Sequence, residues 1–176
     1  MPVLFDTNFL VPLLDPATKV DPSLKAKLLY LVEQISEAGD RIIIPTPALS
    51  ELLIGAGAAM GEYINILNGS RCFRIAPFDQ RAAIELAAWH SSAISAGDKR
   101  DGSTEPWQKV NFDKQIVAIA KVEGVGVIYS HDTDIYRHAA KIGIKVLTLA
   151  DLVEPPMTAQ IELELDPRFP GTSDGE

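Results

Sequence analysis

Short, mostly apolar runs alternate along this chain with longer segments of helical period, and that alternation restricts the fold more than any other feature. Pro2 to Phe5, Arg41 to Ile44, Cys72 to Ala76, Val125 to Tyr129 and Lys145 to Leu147 are too short for helices. Near-continuous apolar strands are those buried on both faces, as in a parallel sheet. Between them, Asp21-Pro22 is a cap followed by proline at the first helical position, and Leu24, Leu28, Leu31, Val32 and Ile35 recur at helical spacing until Gly39. Thr46-Pro47 repeats that signal and opens a helix through Leu49, Leu52 and Leu53, with Glu51 in its second turn. A further helix is expected over 55–69. Asp79 then caps a long helix that Gly97 stops, with Ile84, Ala87, Ala88 and Ile94 as its expected core face. The polar stretch 97–109 is expected to be a loop, and a helix from Val110 to Val122 to carry Asp113 in its first turn. Strands alternating with helices give the α/β class, a parallel sheet with helices on both faces.

The 176 residues suffice for one well-buried core. Residues 1–154 are expected to form that domain and 155–176 a C-terminal acidic extension, in which QIELELD alternates like an edge strand or an extended arm. No apolar run reaches the ~18 residues needed to cross a bilayer, and the first ten residues lack the basic start of a signal peptide. A cytoplasmic protein is the expectation. The lone Cys72 cannot form an internal disulfide and fits a buried strand position.

A net charge of -8 argues at first against a polyanionic ligand. The distribution reverses that argument. From Ala150 onward seven acidic residues face Arg168 alone, so the first 149 residues carry 17 acidic and 15 basic side chains, net -2. Neutralising five acids by bound cations leaves that body at +3.

Asp6 ends the first strand and Asp132 follows the fourth, at the carboxyl edge where open α/β sheets bind ligands. Glu51 and Asp113, early in their helices, can reach the same edge. Such clustered carboxylates raise one another's pKa unless cations compensate them. Hard divalent ions with oxygen ligands suit the set, whereas no Cys/His spacing for zinc is present. One ion or two would activate water and stabilise charge in phosphodiester hydrolysis.

The strand followed by DTNFL at Asp6, Glu51 after PTPALSEL, Asp113 in NFDKQIVAIAKVEG and SHDTDI around Asp132 resemble, in order, the acidic signature of PIN-domain nucleases. Among these the chain is similar to the short bacterial VapC-type toxins of toxin–antitoxin pairs, over residues 2 to 153. The resemblance implies a three-layer fold with a sheet of about five strands in the order 3-2-1-4-5. It also implies a Mg2+- or Mn2+-dependent endoribonuclease, often a homodimer and often inhibited by a small antitoxin. Asp6, Glu51, Asp113 and Asp132 carry over as core acids and metal ligands, Asp134 as an auxiliary ligand, and Asn8 and Ser130 as their hydrogen-bonding support. The polar insert before Asp113 and the acidic tail depart from the family pattern.

Every assignment has a plainer counterpart. Asp6 and Asp132 also suit a turn and a helix cap, and Asp113 and Asp134 suit first helical turns whatever they bind. His131 could serve as a base, although a metal-activated water needs none. His90 and His138 read as helix-surface residues. Lys99, Arg100, Lys109 and Lys114 could hold RNA phosphates or simply be solvated. Trp107 could stack on a base or pack the loop down, and Trp89 suits core or interface. A haloacid-dehalogenase-like phosphatase needs an Asp at position 8, and a receiver domain needs acids before Asp6, where Leu4 and Phe5 stand. The remaining alternative is an inactive PIN-like scaffold that binds RNA or protein.

Overall fold

The computed structural model of the chain describes residues 1–15 and 18–156. Five strands, β1 (Val3–Phe5), β2 (Ile42–Pro45), β3 (Phe73–Ala76), β4 (Val127–Tyr129) and β5 (Lys145–Leu147), form one parallel sheet in the order β3-β2-β1-β4-β5. The α/β class and the strand order are as expected. Among the described residues seven α-helices accompany them: α1 (Thr7–Leu14), α2 (Pro22–Glu37), α3 (Thr46–Ala56), α4 (Met60–Gly69), α5 (Gln80–Ser95), α6 (Trp107–Val122) and α7 (Thr133–Lys141). Strand β1 lies at the centre, Leu4 beside both Ile43 and Ile128, and all three side chains are fully buried. Parallel crossovers are right-handed, so connections running outward from β1 in opposite directions lie on opposite faces of the sheet.

The helix expected over 55–69 begins only at Met60, after the end of α3 and a 3-10 turn over Gly57–Ala59, and three further differences have local causes. Helix α1 was not foreseen, because it has only eight residues and carries Pro12 in its interior. It is capped at its start by Asp6, and at its end Lys25 Nζ donates to the carbonyls of Pro12 at 3.0 Å and Leu13 at 2.7 Å. Helix α6 starts at Trp107, three residues earlier than expected, which moves Asp113 into the second turn and brings Lys109 into the helix. The core face of α5 is Ala82, Leu86 and Ala93 rather than Ile84, Ala87, Ala88 and Ile94, for Ile84 is 63% and Ile94 58% exposed. That helix is apolar around most of its circumference, so periodicity alone cannot choose its inner face.

Cys72 is buried as expected. Of the expected C-terminal extension only residues 155 and 156 are described, and the alternating segment 160–166 lies outside the described residues. No described helix is long and apolar enough to cross a membrane.

Candidate functional site

Strand β1 ends as its chain turns into α1, and the hinge residue is Asp6. Its Oδ1 accepts from the Thr7 backbone N–H at 2.8 Å, while Oδ2 accepts from Asn8 Nδ2 at 2.9 Å and Ser130 Oγ at 2.8 Å. Ser130 follows β4, is 1% exposed, and its hydroxyl also accepts from the Asp132 N–H at 3.0 Å. Asn8 returns through its Oδ1, which accepts from the His131 N–H at 3.2 Å. Asn8 and Ser130 thus tie the ends of the two central strands together. An edge-to-face pair of Phe5 and Tyr129, with centroids 5.2 Å apart, packs the same junction from below.

Asp132 caps α7, accepting the Asp134 N–H at 2.7 Å through Oδ1 and leaving Oδ2 to Lys109 Nζ at 2.5 Å. Lys109, one turn before Asp113 on α6, also lies 2.9 Å from Asp113 Oδ2. One ammonium therefore bridges two acids from different helices. Glu51 stands on the exposed side, where its Oε2 accepts from Thr7 Oγ1 at 2.7 Å. Asp6, Glu51, Asp113 and Asp132 line one cleft of about 720 Å3 together with Thr7, Asn8 and Lys109.

Burial and mutual repulsion set the protonation of these acids. Burial drives Asp6 above its ordinary 3.8, a rise that bonds from Ser130 and Thr7 oppose and that Glu51 and Asp132 reinforce. Asp113 is pushed up to about 6 by burial, with the Lys109 bond opposing and Asp132 and Asp6 adding to the rise. For Asp132 burial also acts upward, but Lys109 and the N–H groups of Asp134 and Ile135 outweigh it and hold the carboxyl low. Burial pulls Lys109 down, yet its two carboxylate bonds prevail and keep the ammonium charged.

The donor set suits a hard divalent cation, being composed of carboxylate oxygens. Among the described residues, Asp113, Asp132 and Asp134 can each present an oxygen within 4.8 Å of the other two. Asp134, however, does not line the cleft. It is 2% exposed, accepts from Ser103 Oγ at 2.5 Å and pairs with Arg137.

The basic residues separate as sharply. Lys109 is the one cation lining the cleft among the described residues. Lys99 lies over the Trp107 ring at 4.3 Å, and Arg100 is exposed in the insert. Lys114 does not face the cleft at all: it is 1% exposed and lines a second pocket. His138, expected at the surface, is 3% exposed because the insert folds over it, and Trp89 lines the same second pocket. His131 stacks on Phe9 and does not line the cleft. Thr7 was missed, and recognising Asp6 as the cap of a helix would have found it.

Residues 3–141 match the family model of the PIN domain. No curated protein matches the sequence. Among solved structures the chain is similar to VapBC2 from Rickettsia felis bound to a DNA fragment from their promoter. That likeness has 14% identity, a TM-score of 0.59, and covers 84% of this chain and 98% of that one. It is also similar to DNA-bound VapBC from Salmonella typhimurium, at 17% identity, TM-score 0.55, covering 85% of this chain and 98% of that one. VapBC-1 from nontypeable Haemophilus influenzae gives 13% identity, TM-score 0.54, and coverage of 86% and 100%. At such identities these likenesses speak for the fold, whereas the family match runs from the first strand to the end of α7, and the chain belongs to the PIN domain family.

Proposed function

We propose that the chain is a metal-dependent endoribonuclease hydrolysing phosphodiester bonds of RNA, the toxin of a toxin–antitoxin pair. The observation that carries the proposal is the convergence of Asp6, Asp113 and Asp132, from three separate parts of the chain, on one open cleft at the carboxyl edge of the sheet. Asp6, Glu51, Asp113 and Asp132 would hold Mg2+ or Mn2+, with Asp134 behind them. When bound, the cation polarises the phosphodiester and acidifies water.

The side chains around it do the positioning. Asn8 and Ser130 fix the Asp6 carboxylate against rotation, and Thr7 holds Glu51 toward the cleft. Lys109, 40% exposed, can turn from its two acids to a phosphate oxygen of the incoming strand. Asp113, its pKa pushed up to about 6 by burial, can take up a proton near neutral pH. The solved VapBC assemblies support a small antitoxin as partner, and the apolar outer face of α5, with Ile84 and Ile94 exposed, supports a homodimer.

The rival reading is an inactive scaffold, and one observation favours it: Lys109 already neutralises two of the acids. A single experiment separates the two. Asp6→Asn should lower Mn2+-dependent cleavage of single-stranded RNA by roughly a hundredfold or more while leaving circular dichroism unchanged. Cleavage equal to that of the parent chain, or none by either, overturns the nuclease assignment.

A further inference from the structure

A second pocket, of about 300 Å3, opens between α5, α6 and α7, on the far side of α6 from the acidic cleft. Asp113 lines the first pocket and Lys114, one residue on and about 100° round the helix, lines the second. Trp89 and Ser92 form the α5 wall of this pocket, and His138 and Lys141 belong to α7.

Its polar groups are poorly satisfied. The Lys114 ammonium has three protons to donate and is 1% exposed, yet Nζ has no hydrogen-bond partner. Neither has Nε2 of His138, which is 3% exposed. An ammonium buried without hydrogen bonds is costly, so a group that supplies acceptors there gains binding energy.

The group now nearest is Asp101, from the insert. It holds a φ of 57°, the one positive value outside glycine among the described residues, and it lines the pocket. Oδ1 reaches Lys141 Nζ at 2.6 Å, but Oδ2 stops 3.5 Å from both Lys114 Nζ and His138 Nδ1. Two oxygens on one plane satisfy one lysine and fall short of hydrogen-bonding distance to the other. Two lysines thus face a single carboxylate in this pocket.

We infer that this pocket is a second ligand site, for the tetrahedral oxyanion of a phosphate or phosphomonoester, and that Asp101 is its tethered competitor. Four oxygens spread tetrahedrally supply the acceptors that a carboxylate lacks, for Lys114 and Lys141 together, and a protonated oxygen can donate to His138 Nε2. The Trp89 wall leaves room for an apolar or aromatic substituent on the ester. This site stands whether or not the acidic cleft cuts RNA.

Calorimetric titration of the full chain in EDTA tests the assignment, with inorganic phosphate in one arm and adenosine monophosphate in the other, against sodium chloride at matched ionic strength. Phosphate should bind the parent chain. Asp101→Asn, which keeps the positive φ but removes the competing charge, should bind it about tenfold tighter. Lys141→Met and Lys114→Met should lose the binding, and the half-exposed Lys141 makes the first of these safe for folding. Tighter binding of the mononucleotide than of phosphate assigns the site to phosphomonoesters, and weaker binding assigns it to the free ion. Heats no larger than those of chloride, or binding that Asp101→Asn and Lys141→Met both leave unchanged, overturn the proposal, the pocket then holding water alone.

Discussion

Lys109 is the residue that ties the acidic cleft together. Its ammonium lies between Asp113 and Asp132, where a bound cation would also be drawn, so metal binding must compete with it. Lys109→Met should therefore bind Mn2+ more tightly by calorimetry and, in EDTA, melt at a lower temperature than the parent chain. Added Mn2+ should reverse the second effect. Unchanged affinity would show that the lysine and the metal occupy different places.

His138 gives a second residue-scale prediction, with a definite sign. Burial, and then the charge of Lys114, lower its pKa from the ordinary 6.5 to about 4. The folded chain keeps the imidazole neutral while the unfolded chain protonates it below pH 6.5. Its stabilising contribution, on the order of 3 kcal/mol, is thus complete above that pH and lost as the pH falls through about 4. Asp113 acts oppositely, since a carboxyl raised to about 6 favours the folded state as it protonates. Urea unfolding of the parent chain and of His138→Gln over pH 4 to 7 isolates the histidine as a difference. The variant should lose less stability on acidification.

Among the elements, α6 is the one on which most depends. Ile116 to Ala120 are buried without interruption, so this helix has no solvent face over those five residues. Ala118 and Ala120, 0% exposed, leave no space for larger side chains. Ala118→Leu should cost about 1–3 kcal/mol, seen as a lower urea midpoint with an unchanged slope. How far such elements were legible in the sequence depended on how local their determinants are. Cap-plus-proline signals at Asp21-Pro22 and Thr46-Pro47 act within a turn, and those helices lie where they were expected. The inner face of α5 depends on what packs against it, and the burial of His138 on a loop some forty residues away, so neither is written in a local pattern. That the acids meet at one edge was legible because strand ends and helix starts place them. The Lys109 bridge was not, because it needed the true start of α6.

Over the whole molecule, charge is divided unevenly. Residues 157–176 hold five acidic side chains and Arg168, half of the net charge of -8. A chain ending at Pro156 should bind single-stranded RNA more tightly at low salt, with the difference closing as salt rises, measured by fluorescence anisotropy. Equal affinities at low salt would mean that those charges do not reach the bound strand. The central place of β1 has a different kind of consequence. Its two neighbours, β2 and β4, lie on opposite sides of it in space and far apart along the chain. During synthesis the first strand emerges early, but the sheet edge that brings Asp6 beside Asp132 cannot close until β4 and the turn after it have left the ribosome. A nascent chain stalled anywhere before residue 132 therefore lacks the joined edge, and the acidic cleft is assembled only when nearly all of the residues that match the PIN domain have been made.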